Sequence, residues 1–305
     1  MNHSTQPTFP GTTLCPALFL LAAGLTASPL LAQPGPPASG PGLSELSAAY
    51  SFSTAGDIER NGKLGRAEVS HFEFETSFTL PAPETWLFSS ALSWKRDEFE
   101  LTGNVPLPAK LEEIGLSFMA MKDLSHAIGP GWSATAMLSP SFASDDGVVS
   151  SDSLNVFAMA VIGKEVSPNF SWNAGVVGMN RGDMKVIPML GLRWSFARDW
   201  ELELGFPHTG VSYKFSDALT LSSGVTMQGG TYYVKKAPAA GLGRTYLDYR
   251  EIRVGLTAEY EFSPQLSVVI DGGLTLDRTF DYYDRGVKLD GKSATYGRVG
   301  LRYRF

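Results

Sequence analysis

The sequence contains very little of what most enzymes and metal proteins use at their sites. Its single cysteine, Cys15, excludes a disulfide framework or a cysteine-based metal site. Charged residues make up only 18% of the chain, the net charge is -6, and no basic run is longer than Lys235-Lys236, which argues against a nucleic-acid partner. Beyond the N-terminus, no stretch has the roughly 18 apolar residues that a membrane-spanning helix needs. We therefore expect no cofactor, no metal and no transmembrane helix.

The N-terminus has the features of an export signal. Residues 14–25 form a short apolar run, and small residues follow as far as Ala32. Residues 33–43 are rich in proline and glycine, a composition typical of a flexible spacer. The sequence thus predicts a signal peptide over residues 1–32, a flexible segment over 33–43 and one folded unit over 44–305.

From residue 43 onward, apolar residues recur with a period of two, which indicates β-strands. The stretch 250–262 alternates most regularly, and 71–80 and 186–196 repeat the pattern. One face of 250–262 consists of Ile252, Val254, Leu256, Ala258, Tyr260 and Phe262, and the other of Glu251, Arg253, Gly255, Thr257, Glu259 and Glu261. Every strand therefore has one apolar face and one polar face.

Short and long connections largely alternate along the chain. Four connections of three residues carry Ser, Asp, Asn or Pro, as tight turns require, at 167–169, 197–199, 216–218 and 263–265. Four longer polar connections are expected at 54–68, 144–153, 230–246 and 277–293. This order predicts an all-β, up-and-down antiparallel meander of about fourteen strands, or twelve if the short pair flanking residues 206–210 is not formed.

The predicted strands lie at 45–54, 68–79, 86–96, 111–121, 131–142, 153–164, 170–180, 185–196, 200–206, 210–216, 218–230, 246–262, 265–278 and 294–305. Most of them reach the roughly 9–11 residues that a tilted strand needs to cross a bilayer. Five of the six tryptophans stand near the short connections, as in the aromatic girdle at a membrane interface. We predict a closed transmembrane β-barrel rather than a soluble sandwich, because an open sheet edge in lipid would leave backbone groups unpaired.

The last ten residues, YGRVGLRYRF, carry a resemblance to a known class. An exported chain that ends on such a strand with a terminal Phe resembles a Gram-negative outer-membrane β-barrel protein. That resemblance implies the outer membrane as location, its lipid and the barrel-assembly machinery as partners, and Val299, Leu301, Tyr303 and Phe305 as the assembly signal. Residues 200–225 further resemble an uncharacterised family of exported outer-membrane barrels described as a domain of unknown function, which implies no substrate.

The polar faces place many charges in the predicted lumen. The predicted lumen-lining charges are Glu73, Glu75, Arg193, Glu251, Arg253, Glu259, Asp271, Arg298, Arg302 and Arg304. Asp271 and Glu45 are the first expected partners of the three arginines on the last strand. Two interpretations stay open, since such charges either neutralise one another and fill a narrow interior or line a pore and tune its selectivity.

The sequence favours a passive channel or a structural barrel, and not an enzyme. A surface-binding barrel that uses the connections 230–246 and 277–293 is the alternative. A lipid-modifying enzyme would need His208, which has no recognisable nucleophile context. The aspartates at 145, 146 and 152 match no calcium loop, so a solvated connection is the simpler interpretation.

Overall fold

The chain forms one closed antiparallel sheet. The computed structural model describes residues 42–147, 149–182 and 185–305. The predicted signal peptide, residues 1–32, and most of the predicted spacer lie outside the described residues. The first strand already begins at Gly42, so the spacer's last two residues belong to the sheet.

Fifteen strand segments and one short helix make up the described chain. They are β1 (Gly42–Glu59), β2 (Lys63–Leu80), β3 (Trp86–Gly103), β4 (Lys110–Asp123), α1 (Ser125–Ile128), β5 (Trp132–Ser144), β6 (Leu154–Ser167), β7 (Phe170–Met179), β8 (Val186–Ala197), β9 (Trp200–Leu204), β10 (His208–Lys214), β11 (Leu219–Val234), β12 (Thr245–Glu261), β13 (Leu266–Tyr282), β14 (Val287–Gly291) and β15 (Ala294–Arg304). Among the described residues, no helix has the length and apolar character to cross a membrane.

The fifteen segments occupy fourteen positions around a barrel. Each strand from β1 to β13 pairs with its neighbour in sequence, and β15 pairs with both β13 and β1, which closes the sheet. The short β14 also pairs with β13 and β1, further along the same two strands, so it shares one position with β15. The predicted count of fourteen is confirmed, and the short pair flanking residues 206–210 forms as β9 and β10.

Two of the four long connections were predicted wrongly as loops. Most of 54–68 and 277–293 is strand, and β1 and β2 meet at a tight turn in which Asn61 adopts a left-handed φ of 55°. Within 230–246, β11 continues to Val234 and β12 begins at Thr245, so the connection is confined to 235–244. The reason is that the alternation reverses in these extensions. Ile58 and Phe280 are buried inside, while polar residues face outward, as expected where a strand passes beyond the apolar layer into water.

The outer face of the barrel is apolar over the central part of the strands. Exposed large side chains alternate along each strand, such as Leu190 and Leu256, and aromatic residues gather at the rim of short turns. There, ring centroids of Phe196 and Trp200 lie 6.2 Å apart and those of Tyr303 and Phe305 lie 4.9 Å apart. The predicted girdle is therefore present at this rim, which we call the short-turn rim.

At the opposite end, which we call the long-strand end, apolar side chains fill part of the interior. The buried cluster draws on β1 to β5, β11 to β14 and the connections between them. Its largest members include Phe280, stacked on Tyr249 with centroids 4.9 Å apart. Here β11 also crosses to β5, where Tyr233 pairs with Ser144 in parallel. The barrel is thus pinched at this end, and the pinch divides the lumen.

Candidate functional site: a lumen with a charged wall and a methionine passage

The first arginine of the closing strand bridges carboxylates on both sides. Arg298 of β15 places Nη1 3.1 Å from the Oδ2 atom of Asp271 on β13. Its Nη2 lies 3.7 Å from the Oε2 atom of Glu73 on β2. Glu73 lies two strands away from Arg298 in the sheet, so both side chains must project into the lumen to meet.

Closer to the short-turn rim, the other two arginines repeat this arrangement. Arg302 lies 2.7 Å from Glu259 and 3.6 Å from Glu45. Arg304 lies 3.7 Å from Glu45 and 3.4 Å from Glu261. The expected partners Asp271 and Glu45 are therefore found, and the three arginines form a ladder of ion pairs between β12, β13, β1 and β2. We call this side of the lumen the charged wall.

Towards the long-strand end, the ladder continues into a buried cluster. Glu251 and Arg278 are both fully buried, with Arg278 Nε 2.6 Å from Glu251 Oε2. Arg253 Nε lies 2.5 Å from the other oxygen of the same carboxylate. Tyr249 donates a third hydrogen bond to Glu251 over 2.8 Å, and Arg278 donates to Ser53 over 2.6 Å. A buried carboxylate held by two guanidinium groups satisfies most of the polar atoms that burial would otherwise leave unpaired.

Sequence reasoning missed Arg278, which lies at the end of the predicted strand 265–278, where that strand overlaps the connection expected at 277–293. An irregularity in the β12–β13 register, between Ile252 and Arg253, inserts one extra residue into β13. The insertion turns Arg278 inward, although simple alternation from Asp271 would place it outward. A bulge of this kind has no signal in the alternation itself.

Further contacts fill the lumen beside the charged wall. His71 Nδ1 lies 2.7 Å from Asp97 Oδ1 on the neighbouring strand β3, and Tyr232 of β11 donates across the lumen to the other oxygen of Asp97 over 3.4 Å. The Tyr296 ring lies against Gly255, whose missing side chain leaves the space, and Arg253 covers that ring at 4.6 Å. This half of the lumen is consequently filled with side chains.

The other half is open and lined differently. A cavity of about 220 Å³ follows the inner faces of β4 to β8. Six of the nine methionines of the chain line it: Met119, Met121, Met137, Met159, Met179 and Met189. Met119 pairs with Met137 and Met137 with Met159 across three adjacent strands, so thioether side chains form a continuous row. We call this lined cavity the methionine passage.

Sequence reasoning also missed these methionines, although a signal existed. Each lies on the lumen-facing side of its strand and alternates with outward apolar residues such as Leu138 and Ile162. An inner face that carries methionine and few charges distinguishes β4 to β8 from the charged strands. Counting residue types on that face strand by strand would have separated the two walls.

The remaining predicted charges lie outside the ladder. Arg193 pairs with Glu201 over 2.8 Å, and Glu75 lines the methionine passage. The predicted lumen charges are thus brought together mostly with one another. Whether any of them selects a solute stays a prediction.

The other residues considered from the sequence have structural contacts. His208 faces a hydroxyl, with Nδ1 3.2 Å from Thr226 Oγ1. Asp145 accepts hydrogen bonds from the backbone N–H groups of Lys235 and Lys236 over 2.9 and 3.1 Å. It therefore fastens the pinch between β5 and β11. Within the described ranges, no group of three or more His, Cys, Asp or Glu residues is arranged to hold a metal ion.

Comparison with known proteins agrees with this architecture. Residues 79–304 match the family model for a domain of unknown function, DUF6268. No curated protein matches the sequence. Among solved structures, a TodX monoaromatic hydrocarbon channel deltaS2 mutant is similar in fold, with a TM-score of 0.50, 12% identity, and 88% of this chain and 91% of that chain covered.

Two further outer-membrane barrels are more distantly similar. The COG4313 outer membrane channel from Pseudomonas putida F1 has a TM-score of 0.47 and 10% identity, over 89% of this chain and 99% of that chain. A Pseudomonas aeruginosa FadL homologue has a TM-score of 0.46 and 12% identity, over 87% of this chain and 90% of that chain. At these identities the likeness concerns the fold alone.

Proposed function

Since this chain belongs to the DUF6268 family, whose domain is of unknown function, and folds as a closed barrel like TodX, we propose that it is a passive channel of the outer membrane. In this proposal, outer-membrane lipid surrounds the apolar face. The barrel-assembly machinery recognises the closing strand, through Val299, Leu301, Tyr303 and Phe305.

The methionine passage is the observation that carries the proposal. Near the short-turn rim its lining includes Ser133 and Glu165, and near the long-strand end it includes Asn180 and Arg181. The passage therefore extends along the height of the barrel on one side. A barrel with only a structural role would have no need of a lined cavity over this length.

The charged wall has a different role in this proposal. Its carboxylates and guanidinium groups are paired with one another, so they hold one half of the lumen closed and rigid. Half of the residues that line the open half are Met, Ser, Thr or Gly, and charged residues such as Glu75, Lys95 and Arg181 are in the minority. Solutes therefore pass off the barrel axis, along β4 to β8, and the charges act as a seal rather than as a selectivity filter.

The lining also indicates the solute class. Methionine is flexible and polarisable, and it accommodates apolar ligands of varied shape. A strongly charged solute would lose hydration along the row of thioether groups, which offer it no ion pair. The proposed solutes are small and predominantly apolar, with some polar groups that Ser and Thr can accept.

The proposal is tested by a substitution that narrows the methionine passage. Met137→Trp places a large ring on the inner face of β5, whereas Leu138→Trp places the same ring on the outer face of the same strand. Purified barrels are reconstituted into liposomes, and uptake of small uncharged aromatic solutes is measured. The passage predicts that Met137→Trp loses most of the uptake while Leu138→Trp retains it.

Two results would contradict the proposal. Equal uptake by both variants would show that solutes do not use this side of the lumen. Uptake no faster than that of protein-free liposomes, from barrels whose folding is verified by heat-modifiable migration, would favour the structural-barrel alternative.

A further inference from the structure

The barrel wall is incomplete on one side. β9 and β10 are short, and β8 pairs with β9 only from Leu192 onward. On the other side of the same hairpin, β11 pairs with β10 only up to Thr226. Residues 186–191 of β8 and 227–232 of β11 face each other across this hairpin. In the described part of the chain, no strand pairs with either segment on the edge that faces the other. We call this space, above the turn at 205–207, the β8–β11 gap.

The gap lies at the depth of the hydrocarbon layer. β9 starts in the aromatic girdle, where Trp200 contacts Phe196 and Tyr213. At about 3.3 Å per residue and a tilt of about 40°, a strand of five residues climbs only about 13 Å. The apolar band of such barrels is about 25 Å tall. The turn that follows β9 therefore reaches about half the height of the apolar band.

The borders of the gap have the chemistry of a lipid-facing edge. Pro188 lies within the unpaired part of β8, a position that proline occupies because it has no N–H group to donate. Leu190 is 75% exposed and Val186 66%, and Leu190 is the most exposed large apolar side chain of the described residues. Met227 donates its backbone N–H to Pro207 O over 3.1 Å, which fixes the lower border.

The methionine passage reaches this gap from inside. Met189, Phe206, Pro207 and Gly230, which border the gap, all belong to its lining. On the far border, Asn155 of β6 reaches across the passage and donates to the backbone Thr231 O over 2.6 Å. An open edge is tolerated at membrane depth only where it lines a cavity or finds such partners. The wall is thus open at the point where an apolar passage meets the lipid.

We propose that the β8–β11 gap is a lateral opening through which small apolar solutes move between the methionine passage and the hydrocarbon layer of the membrane. This proposal rests on the channel function and adds the route by which solutes leave. An apolar solute that left the barrel into water would have to cross the polar surface of the membrane again to reach the hydrocarbon layer. An exit at the depth of the hydrocarbon layer avoids that step.

The experiment measures contact between lipid chains and the passage. Cys15, the single cysteine, is replaced by serine, and one cysteine is then introduced and labelled with bimane. The three positions are Met189→Cys inside the gap, Leu190→Cys on the lipid face of the same strand, and Met119→Cys inside the passage. Met119 lies on β4, which pairs on both sides, with Ser89 of β3 and Met137 of β5. The barrels are reconstituted with lipids brominated in the middle of the acyl chains, which quench bimane on contact.

The lateral opening predicts that the label at residue 189 is quenched nearly as strongly as the label at 190, while the label at 119 keeps its fluorescence. If the label at 189 instead behaves like the one at 119, lipid does not reach the passage and the opening is refuted. Solute uptake is measured on the same samples. Uptake without quenching at residue 189 would support the channel and contradict the lateral opening. Quenching at residue 189 without uptake would support the opening and contradict the channel.

Discussion

Arg278 on β13 and Glu251 on β12 form an ion pair of 2.6 Å in which both side chains are fully buried. Arg253 holds the second oxygen of the same carboxylate, so one negative charge is shared between two guanidinium groups. Removing the carboxylate would leave two buried cations close together without a partner.

We therefore expect Glu251→Ala to destabilise the barrel by about 3–5 kcal/mol, the usual cost of leaving a buried charge unpaired. Urea unfolding in detergent micelles or lipid vesicles, followed by heat-modifiable migration, measures this change. Glu261→Ala is the matched control, because its pair with Arg304 is 3.4 Å long with both side chains over two-fifths exposed. Such a pair contributes at most about 1 kcal/mol. Equal losses from the two variants would contradict the importance of the buried cluster.

A second prediction concerns which face meets lipid. Leu256 is 70% exposed near the middle of β12, and Thr257 faces the lumen next to it. Leu256→Arg should cost about 2–4 kcal/mol when the barrel folds into vesicles, because a guanidinium group would be placed in hydrocarbon. Thr257→Arg should cost less, because it faces the lumen. If both variants are tolerated equally, the outer face is not in contact with lipid.

A third prediction concerns the closing strand. The backbone N–H of Phe305 bonds to Ser44 O over 3.1 Å, its ring packs on Tyr303, and more than half of its surface is exposed. Phe305→Ala should therefore change the folded barrel little but reduce the amount that assembles in cells. Quantifying folded barrel in outer-membrane fractions tests this, alongside refolding of the purified variant. Arg304→Ala, on the opposite face, is the control. Normal assembly of Phe305→Ala would show that Phe305 is not part of the assembly signal.

A fourth prediction concerns the pinch between β5 and β11. Asp145 is buried and accepts two backbone hydrogen bonds, from Lys235 and Lys236. Asp145→Ala should release the start of the 235–244 connection and speed hydrogen exchange of both amides. The control is Asp146→Ala, since Asp146 forms a side-chain ion pair with Lys235 over 3.2 Å. Unchanged exchange in Asp145→Ala would mean that the parallel pairing with Ser144 alone holds the pinch.

Much of the fold could be predicted because local sequence carries it. The alternation in 250–262 identifies a strand and its two faces, and the Ser- and Asp-containing turns identify the short-turn rim. The outer extensions could not be predicted in the same way. Asp57 and Glu59 face water there while Ile58 turns inward, so the pattern that identified membrane strands predicts loops.

Part of the candidate site could likewise be predicted from the sequence, and part of it could not. The sequence placed Arg298, Arg302 and Arg304 in the lumen together with the carboxylates they now bind. It did not place Arg278, whose orientation depends on a bulge in the β12–β13 pairing. The alternation also did not distinguish the methionine passage from the charged wall, because it is the same on both sides. Only the residue types on the inner faces differ between the two sides.

What the sequence by itself determined is therefore the closed sheet, its two faces and the strand on which it closes, since a period of two and a few turn residues act within single hairpins. Only the tertiary structure decided that ion pairs and packed side chains fill one half of the lumen, while a cavity follows β4 to β8 in the other half. That division depends on β11 crossing to β5, and on β9 and β10 being too short to complete the wall. The crossing joins strands far apart in sequence, and no local pattern encodes it. The shortness of β9 and β10 could be expected from the sequence, but the space that it leaves depends on how far β8 and β11 extend on either side.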